Sequence, residues 1–286
     1  MNKYKIVLAA SDLDLDIYGS FLDPKRVLDC LKYENKILLE QDPNYHKELS
    51  KDIKNNNEKE LVKYLNCLTS LYVDSLKSNE FPILIGGNHS LAISSALSSN
   101  SIQGPLGIIW FDAHTDYHSH NTTESGNLHS LPLCTINGND INWVDVIDNK
   151  YIKEENTVIF EARSVDDGEY INLDKTKVTL ITPEEIENIG MKKALDKAFN
   201  IALNSTNGVH ISFDLDYLDP SYSKGVSTPV FGGCFSDDFN IIKKYFVEHL
   251  DSLKSFDIMQ YNPKFDENDN TLNIILDMLN EIFKIS

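Results

Sequence analysis

Arginine is nearly missing from this 286-residue chain, occurring only at Arg26 and Arg163, and basic residues total 26 against 44 acidic ones, a formal net charge of −18. The lysines are scattered, so no basic face opposes that charge, and nucleic acid is excluded as a partner. Long apolar runs are also absent. None approaches the roughly 18–20 residues that span a bilayer, which excludes a membrane role. The apolar start Ile6–Ala10 runs straight into Ser11-Asp12-Leu13-Asp14 and reads as a first strand, not a signal-peptide core. Cysteine is sparse: Cys30, Cys67, Cys134 and Cys234 lie far apart with no C-x-x-C spacing, which excludes a disulfide framework and implies reduced thiols in a cytoplasm.

The hydrophobic 41% is enough to fill a substantial core. Short apolar runs alternate with segments of helical period, the pattern of a mostly parallel sheet covered by helices in an α/β fold. Strands are expected at Lys5–Ala10, Pro82–Ile85, Gly107–Phe111, Thr157–Glu161, Val178–Ile181, Val209–Phe213 and Ser255–Met259. Between them, Leu61, Tyr64, Leu65, Leu68, Leu71, Tyr72 and Leu76 mark one helix face. Thr182-Pro183-Glu184-Glu185 opens another helix, Gly190 ends it before Met191–Leu203, and Ser236 is expected to cap a further one. Gln41–Asn57, rich in Asn, Lys and Asp, reads as a solvated loop and the start of a helix. No linker or repeat divides residues 1–286, so one domain is expected.

Three strand ends carry polar clusters: Gly86-Gly87-Asn88-His89-Ser90, Asp112-Ala113-His114-Thr115-Asp116 and Ser212-Phe213-Asp214-Leu215-Asp216-Tyr217-Leu218-Asp219-Pro220. In an extended segment the alternate residues Asp112, His114 and Asp116 share a side, as do Asp214 and Asp216. Each cluster closes an apolar strand, so the acids gather at the carboxyl edge of the sheet, where open α/β folds bind ligands. Carboxylates crowded there repel one another unless cations sit among them. Two divalent ions would balance Asp112, Asp116, Asp214 and Asp216, with His89 and His114 completing the ligand set. Oxygen-rich ligands with some nitrogen favour two Mn²⁺ per chain. Such a pair makes hydroxide available near neutral pH.

The three clusters resemble the metal motifs of the ureohydrolases, the family of arginases, agmatinases and formimidoylglutamases. The resemblance implies a three-layer α/β/α arginase-like fold and a hydrolase acting on the carbon of a guanidine-type group of a small molecule. Thr122-Thr123-Glu124-Ser125-Gly126-Asn127-Leu128-His129-Ser130 is most similar to arginases, which cleave L-arginine to ornithine and urea. On that likeness His129 serves proton transfer and Asp116 joins it in catalysis. Thr123, Ser125 and Asn127 match positions for the substrate α-carboxylate, and Asp166 matches the one for its α-amino group. Glu169, Thr228 and Gln260 fall on further pocket positions. The resemblance also implies a homo-oligomer, a trimer or hexamer. His118 and His120 read as solvated loop residues.

The chain departs from the family pattern at Asn88, where Asp is usual, at His118, where Asn is usual, and at Ser227, where Gly is usual. The fourth departure is Gln260, where Glu ordinarily pairs with the guanidinium. A neutral amide cannot balance a buried cation, so another guanidino or formimidoyl substrate, or a non-catalytic metal-binding homologue, are the alternatives.

Overall fold

The computed structural model describes residues 3–11, 13, 23–41, 53–144 and 150–286. Its strands are β1 (Lys3–Ala10), β2 (Lys36–Glu40), β3 (Glu80–Gly86), β4 (Gly107–Phe111), β5 (Thr157–Phe160), β6 (Thr179–Ile181), β7 (Val209–Asp214) and β8 (Leu253–Met259). They form one eight-stranded sheet in the order β2-β1-β3-β8-β7-β4-β5-β6, and every neighbouring pair is parallel. All strand carboxyl ends therefore lie along one edge. The three polar motifs follow β3, β4 and β7, and Gln260 follows β8. These four strands are contiguous in the middle of the sheet, and that adjacency is what makes a site possible.

Alternate residues of each strand enter opposite cores, as the pleat requires. Ile83, Ile85, Ile109, Phe111, Val158 and Phe160 pack on one face, while Leu84, Ile108, Trp110 and Ile159 pack on the other. The first face is covered by α1 (Asp23–Cys30), α7 (Met191–Ala202), α8 (Ser236–Glu248) and α9 (Asn270–Phe283). The second is covered by α2 (Ile53–Lys77), α3 (Ala92–Gln103) and α4 (Pro132–Ile136). The result is the three-layer α/β/α arrangement expected. Among the described residues no helix is long and apolar enough to cross a membrane, and all four cysteines are free.

The α2 stripe is buried at Leu61, Tyr64, Leu65, Leu68, Tyr72 and Leu76, with Leu71 only half-buried. Thr182 Oγ1 accepts from Glu185 N at 3.2 Å to cap α6 (Pro183–Ile189), and Gly190, at φ +87°, separates it from α7. Ser236 differs from expectation: it is the first residue of α8, and the N-cap is Phe235 with no side-chain bond. Strand β2 had no expected counterpart. It is a half-buried edge strand with a lysine and a glutamate at its ends, so it lacks the apolar continuity of the central strands. Of the loop expected at Gln41–Asn57, residues 42–52 lie outside the described residues, and α2 begins at Ile53.

Strand β5 ends one residue earlier than expected, because Glu161 turns to φ +69° and is only 8% exposed. The helix α5 (Asp167–Leu173) follows shortly after. Burial raises the Glu161 carboxyl to about 7, against the lowering effects of the Tyr217 hydroxyl and Arg163, while Asp238 adds to the rise. A carboxyl raised in the folded state stabilises the fold fully below its unfolded value near 4.5, and that contribution is lost as pH rises through about 7. Glu161→Gln should therefore match the parent at acid pH and exceed it by about 2–3 kcal/mol at pH 8. Denaturant melts at the two pH values test this, and equal gains at both would reject it.

Candidate metal centre

Strand β3 ends at Gly86, where an added Cβ would lie 2.7 Å from Leu91 Cδ1. The chain therefore turns tightly through Gly87 and Asn88 into a 3-10 turn, His89–Leu91, that buries His89 completely. After β4 and β7 the chain does not stay extended. Asp112 Oδ1 accepts from His114 N at 2.7 Å, and Asp214 Oδ1 accepts from Asp216 N at 2.7 Å. Each aspartate thus bends its own backbone two residues on, and Asp116 sits at φ +50°. Side-chain alternation along an extended segment is not what gathers these acids. Paired Asx turns do, each leaving the second oxygen of its carboxylate within reach of His89 Nδ1.

His89 Nδ1 lies 2.9 Å from Asp112 Oδ2, 3.2 Å from Asp116 Oδ2 and 3.0 Å from Asp214 Oδ2. Its other nitrogen, Nε2, is 2.9 Å from Ser212 Oγ, and its ring stacks on Trp110 with centroids 3.8 Å apart. Trp110 in turn donates to Asp112 Oδ2 at 2.9 Å. Beside this group, His114 Nδ1 lies 3.4 Å from Asp112 Oδ1 and 3.2 Å from Asp216 Oδ2. Thr228 Oγ1 donates to Asp216 Oδ2 at 2.9 Å, and Ala113 N donates to Asp216 Oδ1 at 3.2 Å. Asp112 is common to both groups.

Burial pushes the Asp116 carboxyl up to about 7, helped by the charge of Asp112. Burial and then Asp216 and Asp112 raise Asp214 well above the carboxylate range. Burial opposes charging His89, but the close carboxylates of Asp112, Asp116 and Asp214 prevail and raise it. For Asp112 burial is outweighed by the two histidines, which lower it. Carboxylates buried this closely thus call for positive charge among them.

The donor set fits divalent cations. Ligand bonds of about 2.0–2.6 Å place any two ligand atoms within about 5 Å of each other. One ligand atom each from His89, Asp112 and Asp116 lies within 4.8 Å of the others, and so it is for Asp112, His114 and Asp216. The more telling observation is the buried His89 Nδ1: three carboxylate oxygens lie within 3.2 Å, yet it makes no hydrogen bond of acceptable geometry with any of them. The His89, Asp112 and Asp116 atoms lie close enough together to serve one ion, and Ser212 fixes the imidazole through Nε2.

Above the cluster opens a cavity of about 560 Å³. Asp112, His114, Asp116, Asp214 and Asp216 form its floor, with His89 buried beneath. Thr123, Ser125, Asn127, His129, Asp166, Glu169, Thr228 and Gln260 all line its walls. The Thr123–Asn127 loop is folded by its own hydroxyls, Thr123 Oγ1 accepting from Gly126 N at 3.1 Å and Ser125 Oγ from Asn127 N at 3.2 Å. His129 enters from a 3-10 turn, Leu128–Ser130. Glu169 is occupied on both oxygens, accepting from Tyr117 N at 3.1 Å and Asp166 N at 3.0 Å. It braces two wall segments. Gln260, at φ +65° and 3% exposed, presents a buried Oε1 with no hydrogen-bond donor.

One sequence reading changes here. His118 is not a solvated loop residue. It is buried and lines the cavity, bonded to Thr122 and Asp166. Ser164 and Glu124 also line the wall, positions to which the sequence assigned no role. His120 is exposed as expected, though it pairs with Asp140 at 2.8 Å. Ser227 is accommodated locally, its Oγ accepting from Asn262 Nδ2 at 2.9 Å, whereas Asn88 Nδ2 donates to Ser11 O at 3.5 Å and its buried Oδ1 has no partner.

Comparison with known proteins gives a consistent answer. The sequence profile described as the arginase family matches residues 14–284. An arginase of Bacillus caldovelox is 31% identical over 210 residues, covering 73% of this chain and 70% of its own. An arginase of Staphylococcus aureus (strain MSSA476) is 27% identical over 280 residues, covering 97% and 87%. The solved native arginase of Bacillus caldovelox superposes with a TM-score of 0.88 at 26% identity, covering 99% of this chain and 98% of that one.

Proposed function

This chain belongs to the arginase family of hydrolases, and from that premise we propose that it hydrolyses the guanidinium group of L-arginine to ornithine and urea, using two Mn²⁺ ions. The observation that carries the reading is the union, in one cavity, of the acid and histidine cluster, His129 and the unpartnered Gln260 acceptor. His89, Asp112, Asp116 and Asp214 would hold one ion; Asp112, His114 and Asp216 would hold the other. Bound divalent ions supply hydroxide near neutral pH by lowering the pKa of water.

The remaining work falls to the chain. Hydrolysis adds the elements of water across the guanidinium carbon and the substrate δ-nitrogen, so the departing amine must take up a proton. His129, on the cavity wall, is the group with the chemistry to deliver it. Gln260 Oε1 accepts an N–H of the guanidinium, which satisfies a buried acceptor otherwise left unpaired. Thr123, Ser125 and Asn127 offer polar groups for the α-carboxylate, and Asp166 offers an anion for the α-amino group. A cytoplasmic homo-oligomer, trimer or hexamer, is part of the reading, supported by the family resemblance and by the free thiols; a single domain over residues 1–286 is supported by the single sheet.

Manganese-loaded protein should release urea and ornithine from L-arginine. A second reading, favoured by the neutral Gln260, keeps the metals but takes another guanidino or formimidoyl compound. Urea from a different guanidino acid, or ammonia or formamide from a formimidoyl one, with none from arginine, would select it. His129→Ala should lower kcat by about 10²-fold with KM nearly unchanged, read from steady-state urea release. A rise in KM alone would assign His129 to binding.

A further inference from the structure

His118 is held on every side. Its backbone N donates to Ser130 O at 3.0 Å. Its ring lies against Gly168, where an added Cβ would approach His118 Cε1 to 2.9 Å, so only glycine lets the ring and the start of α5 meet. Nδ1 is 3.2 Å from Thr122 Oγ1 and Nε2 is 3.3 Å from Asp166 Oδ2. The tautomer follows from the threonine. A hydroxyl has one proton and two lone pairs, and Thr122 Oγ1 already accepts from Ser119 N at 2.9 Å and from Asn172 Nδ2 at 3.0 Å. Its proton is left to donate, and His118 Nδ1 is nearer than the alternatives, Ser119 O and Ser119 Oγ, both at 3.4 Å. Nδ1 is thus the acceptor, and Nε2 carries the hydrogen that points at Asp166.

Asp166 needs such a partner. It forms a capping box with Glu169 at the start of α5, but its side chain is 78% exposed at the cavity wall, where a carboxylate without a further partner samples several rotamers. We infer that His118 is a positioning and specificity residue: by donating Nε2–H to Asp166 Oδ2 it aims that carboxylate at a cationic amino group, so the site discriminates an α-amino acid from the same guanidino acid without its amine. The inference rests on the L-arginine reading and deepens it.

The test compares L-arginine with 5-guanidinopentanoic acid, which is arginine without the α-amino group, by calorimetric binding to manganese-loaded protein and by KM and kcat. The parent should prefer arginine. His118→Ala should weaken arginine binding by about 10- to 100-fold, raise KM in proportion, leave kcat within about twofold, and leave the des-amino acid unchanged. His118→Gln, which keeps an N–H in reach, should recover most of the affinity. Asp166→Asn, a conservative change at the exposed N-cap of α5, should impose the same selective loss even if the alanine variant fails to fold. Equal weakening of both ligands, a fall in kcat at constant KM, or unchanged arginine affinity would overturn the positioning role while leaving the arginine reading intact. A parent that binds neither ligand, or both equally, would overturn the reading beneath it and the inference too.

Discussion

Asp112→Ala is expected to yield a folded protein that retains no tightly bound manganese and has lost at least about 10³ in kcat/KM. Asp112 is the carboxylate common to both ligand groups, with Oδ2 at 2.9 Å from His89 Nδ1 and Oδ1 at 3.4 Å from His114 Nδ1. Removing any other ligand damages one group; removing this one opens both. The electrostatic help that metal ions give a hydrolysis is several kcal/mol, and each 1.36 kcal/mol is tenfold in rate, which sets the size of the loss. The fold should persist, because the bonds lost, from His114 N and Trp110 Nε1, are local to the cluster and are partly offset by relief of repulsion with Asp116 and Asp214. Asp214→Ala, by contrast, should leave partial loading. Elemental analysis beside steady-state kinetics reads both. Parental manganese content in Asp112→Ala would refute the shared-ligand assignment, whatever the activity.

Residue types at this centre were legible in the sequence because ion chemistry restricts them so severely: few side chains can ligate a hard divalent cation, and those few stood at the ends of apolar strands. The geometry was less legible. Period-two alternation places Asp112, His114 and Asp116 on one side, but the chain reaches the same outcome by Asx turns, which a strand pattern does not reveal. The sheet order was hidden for a similar reason. The central strands announce themselves by continuous apolar character, whereas β2 is half-buried, carries charge at both ends and is a strand only because β1 offers it a free edge. His118 shows the limit most clearly. In sequence it sits among Ser, His and Asn, as a solvated loop residue would. What buries it is Gly168, fifty residues on, together with Thr122 and Asn172, and no local pattern carries that information.

Gln260→Glu is expected to raise kcat/KM for L-arginine by about 10²–10³-fold. The reasoning begins from the cost of one missing charge: breaking a buried ion pair by neutralising one member typically costs about 3–5 kcal/mol, and restoring it returns that amount to the transition state. The scaffold is already set for the exchange. Gln260 follows β8 with its backbone at φ +65°, glutamate has nearly the same shape, and Oε1 has no donor that the change would displace. The opposing effect is repulsion, since a new carboxylate enters a cavity floored by four others. Two bound divalent ions would balance those four, so with metal present the added charge is met by the guanidinium itself. The outcome therefore distinguishes the two substrate readings. A large gain on arginine means that Gln260 restrains an otherwise complete arginase. If arginine turnover stays flat, and a compound with a less charged reacting end is turned over by the parent but lost in the variant, Gln260 selects that other substrate: a neutral amide avoids placing an uncompensated anion against a group that carries little positive charge to meet it.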